Sequence, residues 1–362
     1  GMDQGNNLYV RDLRNDDAQF IQMTGDPSKR YSPVETVGDS IFIMTNADAP
    51  RGRIMLANIH RPGFSDWTEL VPQGEGVIDD VTFAGSDRMI VTYNKDNCTA
   101  ASLYDINGKL ITPIQLPSIG TASFSGRRTQ NECFYSFTPS TIYRFDPTTG
   151  KSSVFSKPAL SFNTDAFTCE MKFYQSKDGT RIPIFLTYKK GLKRNGHTPV
   201  LMYGYGGFNV SYQPYFSAMR IPYLESGGIY AYVVLRGGGE YGEQWHLAGT
   251  KMHKQNVFDD FISAAEWLIK EGYTDKQHLA CLGASNGGLL IGACMTQRPD
   301  LFKVCIPEVG VMDMLRYHKF TIGWNWAPDY GTSDDSKEMF EYLYGYSPLH
   351  NLKKGVSYPS TL

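Results

Sequence analysis

The sequence has no C-x-x-C pair, no long apolar run and almost no net charge. Each absence removes a class of protein. Six cysteines, Cys98, Cys133, Cys169, Cys281, Cys294 and Cys305, stand at irregular spacing in 362 residues. That excludes a disulfide scaffold and a zinc ribbon, and it fits buried thiols in a reducing compartment. No stretch is long enough to span a bilayer, so no membrane partner is expected. A net charge of -2 offers no basic field for nucleic acid. The polar start Asp3-Gln4-Gly5-Asn6-Asn7 is no signal peptide. Gly1-Met2 reads as an expression-tag remnant, so the natural start is expected elsewhere. The compartment expected is the cytoplasm, or the periplasm if a leader lies upstream.

What is present is a sizeable apolar fraction, 41%, and a high aromatic content, 13%, with 23 Tyr and 20 Phe. The length is enough for two domains. The first half repeats. β-Rich runs begin at Ile41, Met89 and Cys133, 48 and 44 residues apart, and each is followed by a second run, at Arg53, Ala101 and Thr141. Turns of the type Asn107-Gly108 and Thr149-Gly150 close the later units. A strand-rich period of 40 to 50 residues marks propeller blades, with an ordinary β-sandwich as the alternative. About three units are present, which predicts a partial β-propeller over residues 1–158 with open blade edges.

From residue 159 onward the pattern changes to alternating strands and helices, which predicts a mostly parallel sheet flanked by helices. A hairpin is expected around Lys177-Asp178-Gly179-Thr180, strands at Val200–Tyr203 and Ile229–Leu235, and a helix from Val257 to Glu271 with Asp259 and Asp260 in its first turn. A strand ending at Leu282, the run Gly283-Ala284-Ser285-Asn286-Gly287-Gly288, and a helix from Leu289 to Gln297 follow. This strand–turn–helix with G-x-S-x-G is the nucleophile elbow of an α/β-hydrolase. Glycines at 283 and 287 admit the sharp turn, Ser285 is the nucleophile, and the Asn286 backbone N–H faces the developing oxyanion. A second glycine run, Gly237-Gly238-Gly239-Glu240-Tyr241-Gly242, satisfies G-x-G-x-x-G but is followed by no apolar helix stripe. It reads as a flexible loop near the site rather than a dinucleotide cradle.

Seven runs of the second half resemble the prolyl oligopeptidase family of serine peptidases. They begin at Tyr203-Gly204-Tyr205-Gly206-Gly207-Phe208-Asn209 and Arg236-Gly237-Gly238-Gly239-Glu240-Tyr241-Gly242 and continue through Gln255–Phe261, Gly283–Leu290, Arg298–Phe302, Val309–Leu315 and Tyr346–Asn351. The repeats before residue 155 are similar to the last blades of that family's propeller. The resemblance implies an α/β-hydrolase domain, residues 159–362, preceded by the partial propeller. It also implies cleavage of short peptides after proline, with no metal or organic cofactor. Tyr205 would donate its hydroxyl to the oxyanion, a role that also suits a Gly-rich turn at a strand end. Trp326 would stack on the proline ring, and Phe208, Val311 and Ile322 would line its pocket.

The resemblance also points to what is missing. The catalytic Asp and His are expected beyond Leu362; only 77 residues follow Ser285, and their two histidines, His318 and His350, lie in runs that the family does not use for catalysis. The hydrolase domain is therefore expected to be truncated at its C-terminus, and the chain alone to be inactive or nearly so. The alternatives are a non-catalytic binding or scaffold protein and an oligopeptidase of other specificity. Open blade edges predict self-association.

Overall fold

The computed structural model describes residues 5–137, 141–213 and 215–362. Gly1 and Met2 lie outside the described residues. The chain divides into one unit of residues 1–159 with 241–243, and another of residues 160–240 with 244–362.

The first unit contains three four-stranded antiparallel meanders. Their strands are Tyr31–Val37, Ser40–Thr45, Arg53–Asn58 and Thr68–Val71; Val77–Phe83, Arg88–Lys95, Cys98–Asp105 and Leu110–Ile114; and Ala122–Arg127, Gln130–Phe137, Thr141–Asp146 and Lys151–Ser156. The runs at Ile41, Met89 and Cys133 are the second strands of the three sheets. Alternation decides what each face meets, because successive side chains in a strand point opposite ways. Ile41 and Ile43 pack with Met23 and Trp67, whereas Phe42 packs with Val81, Phe83 and Val91 of the second sheet. Ile90 and Leu103 of the second sheet in turn meet Phe124, Tyr135 and Phe145 of the third. The last strand, Lys151–Ser156, is exposed along its whole length, with Val154 and Phe155 in solvent.

The second unit is built on a seven-stranded sheet. Its strands are β1 (Phe167–Gln175), β2 (Arg181–Lys189), β3 (Val200–Tyr203), β4 (Ile229–Val233), β5 (Leu279–Ala284), β6 (Val304–Glu308) and β7 (Ser360–Thr361), in the order β1-β2-β4-β3-β5-β6-β7. β1 and β2 form the expected hairpin and β2 runs antiparallel to β4; every pairing from β4 to β7 is parallel. Parallel strands covered on both faces should be continuously apolar, and all five residues of β4, Ile-Tyr-Ala-Tyr-Val, are buried. The main helices are α1 (Gln255–Lys270), α2 (Asn286–Gln297) and α3 (Lys337–Tyr346). α1 buries Val257, Phe258, Phe261, Ala264, Ala265 and Leu268, the stripe that its period predicts. Among the described residues, no helix is long and apolar enough to cross a membrane.

Four expectations need correction. α1 begins at Gln255, so Asp259 and Asp260 fall in its second turn rather than its first. α2 begins at Asn286, directly after Ser285, because the elbow itself starts the helix. Two of the six cysteines, Cys98 and Cys169, are half-buried; all six are free thiols. The glycine run at 237–242 is no flexible loop over its first part, since Arg236 to Glu240 are all buried. Gly237 N–H donates to the Trp245 carbonyl at 3.0 Å, and the Asn209 N–H donates to the Gly237 carbonyl at 3.0 Å.

An ion pair holds that buried segment. Arg236 Nε donates to Asp260 Oδ2 at 2.9 Å, and Nη2 donates to Oδ1 at 2.6 Å. Ser176 Oγ donates to the same Oδ1 at 2.5 Å, and Arg236 Nη1 reaches Asp178 at 2.5 Å. The Asp260 side chain has no solvent exposure and that of Arg236 has 6%. Two buried charges are tolerated only when each is paired and hydrogen-bonded. Removing Asp260 leaves the buried Arg236 with only the part-exposed Asp178 as a charge partner, so Asp260→Ala should lower unfolding free energy by about 3–5 kcal/mol. Urea denaturation checks this; a loss below about 1 kcal/mol would contradict it.

Candidate active site

Ser285 sits between β5 and α2 with φ 58° and ψ -114°, in the left-handed half of backbone space. A non-glycine residue there costs on the order of 1–3 kcal/mol and persists only where the surroundings over-determine it. They do so here. Ser285 N–H donates to the Glu308 carbonyl of β6 at 2.9 Å, and Leu289 N–H donates to the Ser285 carbonyl at 3.1 Å. A Cβ at Gly283 would stand 2.4 Å from the Gly287 carbonyl, and one at Gly288 would stand 2.5 Å from that of Glu308. Only hydrogen at these positions lets α2 start so close to the strand. The outcome is an exposed Ser285 at the carboxyl end of a central strand, whose side chain has no hydrogen-bond partner among the described residues.

Asn286 is 1% exposed, and its two ends do different work. As the first helical residue, it has no intrahelical carbonyl for its backbone N–H to reach. Its side-chain amide is hydrogen-bonded at both ends. Nδ2 donates to the Tyr205 carbonyl at 2.5 Å, while Oδ1 accepts from Tyr330 Oη at 2.8 Å and from Lys254 Nζ at 2.9 Å. Lys254, 1% exposed, also donates to the Gly206 carbonyl at 2.9 Å. The β3–Phe208 turn is thereby tied at two successive carbonyls to the residue after Ser285. Burial pulls the Lys254 ammonium down to about 8, against the upward pull of Asp329.

Tyr205 is half-buried and meets Tyr212 edge-on at 5.0 Å. Burial, then Tyr212 and Asp329, push its phenol up to about 12, so it remains a hydrogen-bond donor at neutral pH. Further along the turn, Phe208 adopts φ 57°, and its N–H donates to Asp329 Oδ2 at 3.2 Å. The other Asp329 oxygen lies 2.6 Å from His246 Nε2. This imidazole–carboxylate pair anchors the turn; it makes no hydrogen bond to Ser285.

Phe208, Val311 and Trp326 all pack on the core of the second unit, half-buried. Phe208 meets Tyr330 edge-on at 5.2 Å, Tyr330 meets Tyr317 at 5.3 Å, and Trp326 stacks on Tyr317 at 6.3 Å. A continuous aromatic path therefore links Phe208 to Trp326. Ile322 is more exposed than these three, at 53%. His318 pairs with Asp334 at 3.0 Å and His350 Nδ1 with Ser347 Oγ at 2.8 Å. Sequence reasoning did not single out Lys254, His246, Asp329 or Tyr330. A lysine before a helix reads as a solvated charge, and nothing in its neighbours signals burial.

Residues 214–362 match the profile of the prolyl oligopeptidase family, and residues 1–158 that of the prolyl oligopeptidase N-terminal beta-propeller domain. The chain is 49% identical over 363 residues to a prolyl endopeptidase of Elizabethkingia meningoseptica, covering 99% of this chain and 51% of that protein. It is 41% identical over 349 residues to a prolyl endopeptidase of Dictyostelium discoideum, covering 92% and 46%. A structure from work on two prolyl endopeptidases superposes with a TM-score of 0.93 at 38% identity, over 99% of this chain and 53% of that one. The chain thus spans about half the length of the relatives it matches. With the elbow, the glycine turn and the strand-rich repeats in place, the chain belongs to the prolyl oligopeptidase family.

Proposed function

We propose that this chain carries the nucleophile, the oxyanion donors and the proline pocket of a serine endopeptidase that cuts short peptides after proline. The observation that carries this reading is the strained, exposed Ser285 placed beside the turn that bears Tyr205. In the proposed step, Ser285 Oγ attacks the carbonyl carbon of the proline residue while a base takes its proton. The carbonyl electron pair moves onto oxygen, where Tyr205 Oη–H and the Asn286 N–H bind the new charge. Collapse expels the amine, which takes the proton back, and leaves an acyl ester on Ser285 that water hydrolyses. The ring of the proline lies on Trp326, with Phe208, Val311 and Ile322 as walls; an apolar pocket suits a residue with no N–H.

The base is the weak point of this chain taken alone. Among the described residues, no imidazole or carboxylate hydrogen-bonds Ser285 Oγ. Removing triad members leaves only the share of catalysis that oxyanion binding and positioning provide. The alternative reading, a non-catalytic binding protein, keeps the pocket and loses the chemistry. A pocket for another side chain, such as a basic one, would call for carboxylates, and the walls named here are apolar. Exposed Val154 and Phe155 support self-association of the first unit.

Three measurements test these statements. A fluorogenic peptide with proline before the scissile bond should be cleaved by this chain at least ~10³-fold more slowly than by a serine peptidase with its full triad. Full turnover would contradict that. Trp326→Ala should weaken binding of a proline-containing peptide by about 1–3 kcal/mol while leaving a proline-free peptide unaffected; calorimetric titration with both decides. Lys254 supplies a pH test. Its folded value near 8 lies below the ordinary lysine range. Between about 8 and 10.4 the unfolded chain binds the extra proton, so stability from this group rises with pH across that window. The stability of wild type relative to Lys254→Met should increase from pH 7 to pH 9.5 in urea denaturation. An unchanged difference would contradict a buried ammonium.

A further inference from the structure

At the end of the sheet away from Ser285, two imidazoles converge on one carboxylate. His197 precedes β3, and Asp275 and His278 precede β5. His197 Nδ1 lies against Asp275 Oδ2, and His278 Nδ1 is 2.7 Å from Asp275 Oδ1. One ligand atom from each of the three residues can be chosen so that all lie within 4.8 Å of one another, the sole such group among the described residues.

We propose that His197, Asp275 and His278 form a binding site for a divalent transition-metal ion of the zinc type. Two features beyond proximity support it. The first is how the two segments are held. β3 and β5 are neighbouring parallel strands with Val200 opposite Leu279, Val200 N–H donates to the His278 carbonyl at 2.9 Å, and Gly196 N–H donates to the Gly272 carbonyl at 3.2 Å. The imidazoles thus hang from a fixed register, not from two independent loops. The second is the carboxylate. Its Oδ1 is fixed by the backbone N–H groups of Gln277 at 2.8 Å and His278 at 3.0 Å, which leaves Oδ2 oriented and free of backbone donors. Such outer hydrogen bonds are what pre-set a metal-binding carboxylate.

The donor set selects the metal. Two imidazole nitrogens with one carboxylate oxygen suit zinc, with nitrogen at about 2.0–2.1 Å and oxygen at about 2.0–2.2 Å, and leave a fourth position for water. Calcium and magnesium call for oxygen ligands throughout. The side chains of His197 and His278 are 67% and 41% exposed, so an ion has an entry path and the rings can shift to accept it. A six-residue strand separates His278 from Ser285, roughly 20 Å at about 3.3 Å per residue. A metal here staples β3 to β5 and takes no part in chemistry at Ser285.

The test is calorimetric titration of the chain with zinc chloride, with cobalt chloride as a spectroscopic probe. Saturable binding of one ion per chain below ~100 μM is expected, together with the visible bands of tetrahedral cobalt. His197→Ala and His278→Ala should each weaken it about tenfold or more, and His60→Ala, in the first unit, should not. Zinc should raise the thermal midpoint of wild type by roughly 2–4 °C and leave the His197→Ala/His278→Ala double variant unmoved. Because both histidines are exposed, the variants should retain the wild-type circular dichroism. Absence of saturable binding, or binding equal in wild type and the double variant, would overturn the site.

Discussion

The side-chain amide of Asn286 joins three parts of the second unit that the proposed chemistry needs together. It grips the Tyr205 carbonyl with its nitrogen and takes Lys254 and Tyr330 on its oxygen. An amide buried to 1% exposure is worth its desolvation only if every polar end is used. Here both are. Since Asn286 is also the first residue of α2, any shift of the elbow would drag the Tyr205 turn with it. The relative placement of the proposed nucleophile, Ser285, and the proposed oxyanion donors is thus carried by one buried network, and it does not depend on the flexibility of a loop.

The strain at Ser285 belongs to the same design. A residue at φ 58° persists because β6, α2 and the glycines around it leave no alternative. The Arg236–Asp260 pair plays a similar part for the next loop, fixing a glycine-rich segment that would otherwise be free. Rigid elements supply position, and the exposed hydroxyl of Ser285 is left unpartnered among the described residues.

Much of this was legible before the structure. The period from Ile41 to Met89 to Cys133 located the middle of each sheet, because burial on alternate faces leaves a readable trace in a strand. The G-x-S-x-G run was readable because sterics leave few residues that fit such a turn. The buried ionic groups were not. Lys254, Asp260 and Asp329 look like surface charges in sequence, and only tertiary pairing with Gly206, Arg236 and Phe208 takes them inside. The same limit hid the cluster of His197 with Asp275 and His278, which chain distance separates and the β3–β5 register unites. Trp326 became a candidate through family resemblance, and the structure adds its stack on Tyr317.

The central claim is that Ser285, Tyr205 and Asn286 form one oxyanion-binding nucleophile site with a proline pocket beside it. A crystal structure of this chain with an unreacted proline-containing peptide bound tests it most directly. The account predicts the carbonyl carbon of the proline residue at about 3–3.5 Å from Ser285 Oγ, its oxygen facing both Tyr205 Oη and the Asn286 nitrogen, and the proline ring on Trp326. A peptide with that oxygen turned to solvent, or with its ring away from Trp326, would contradict it.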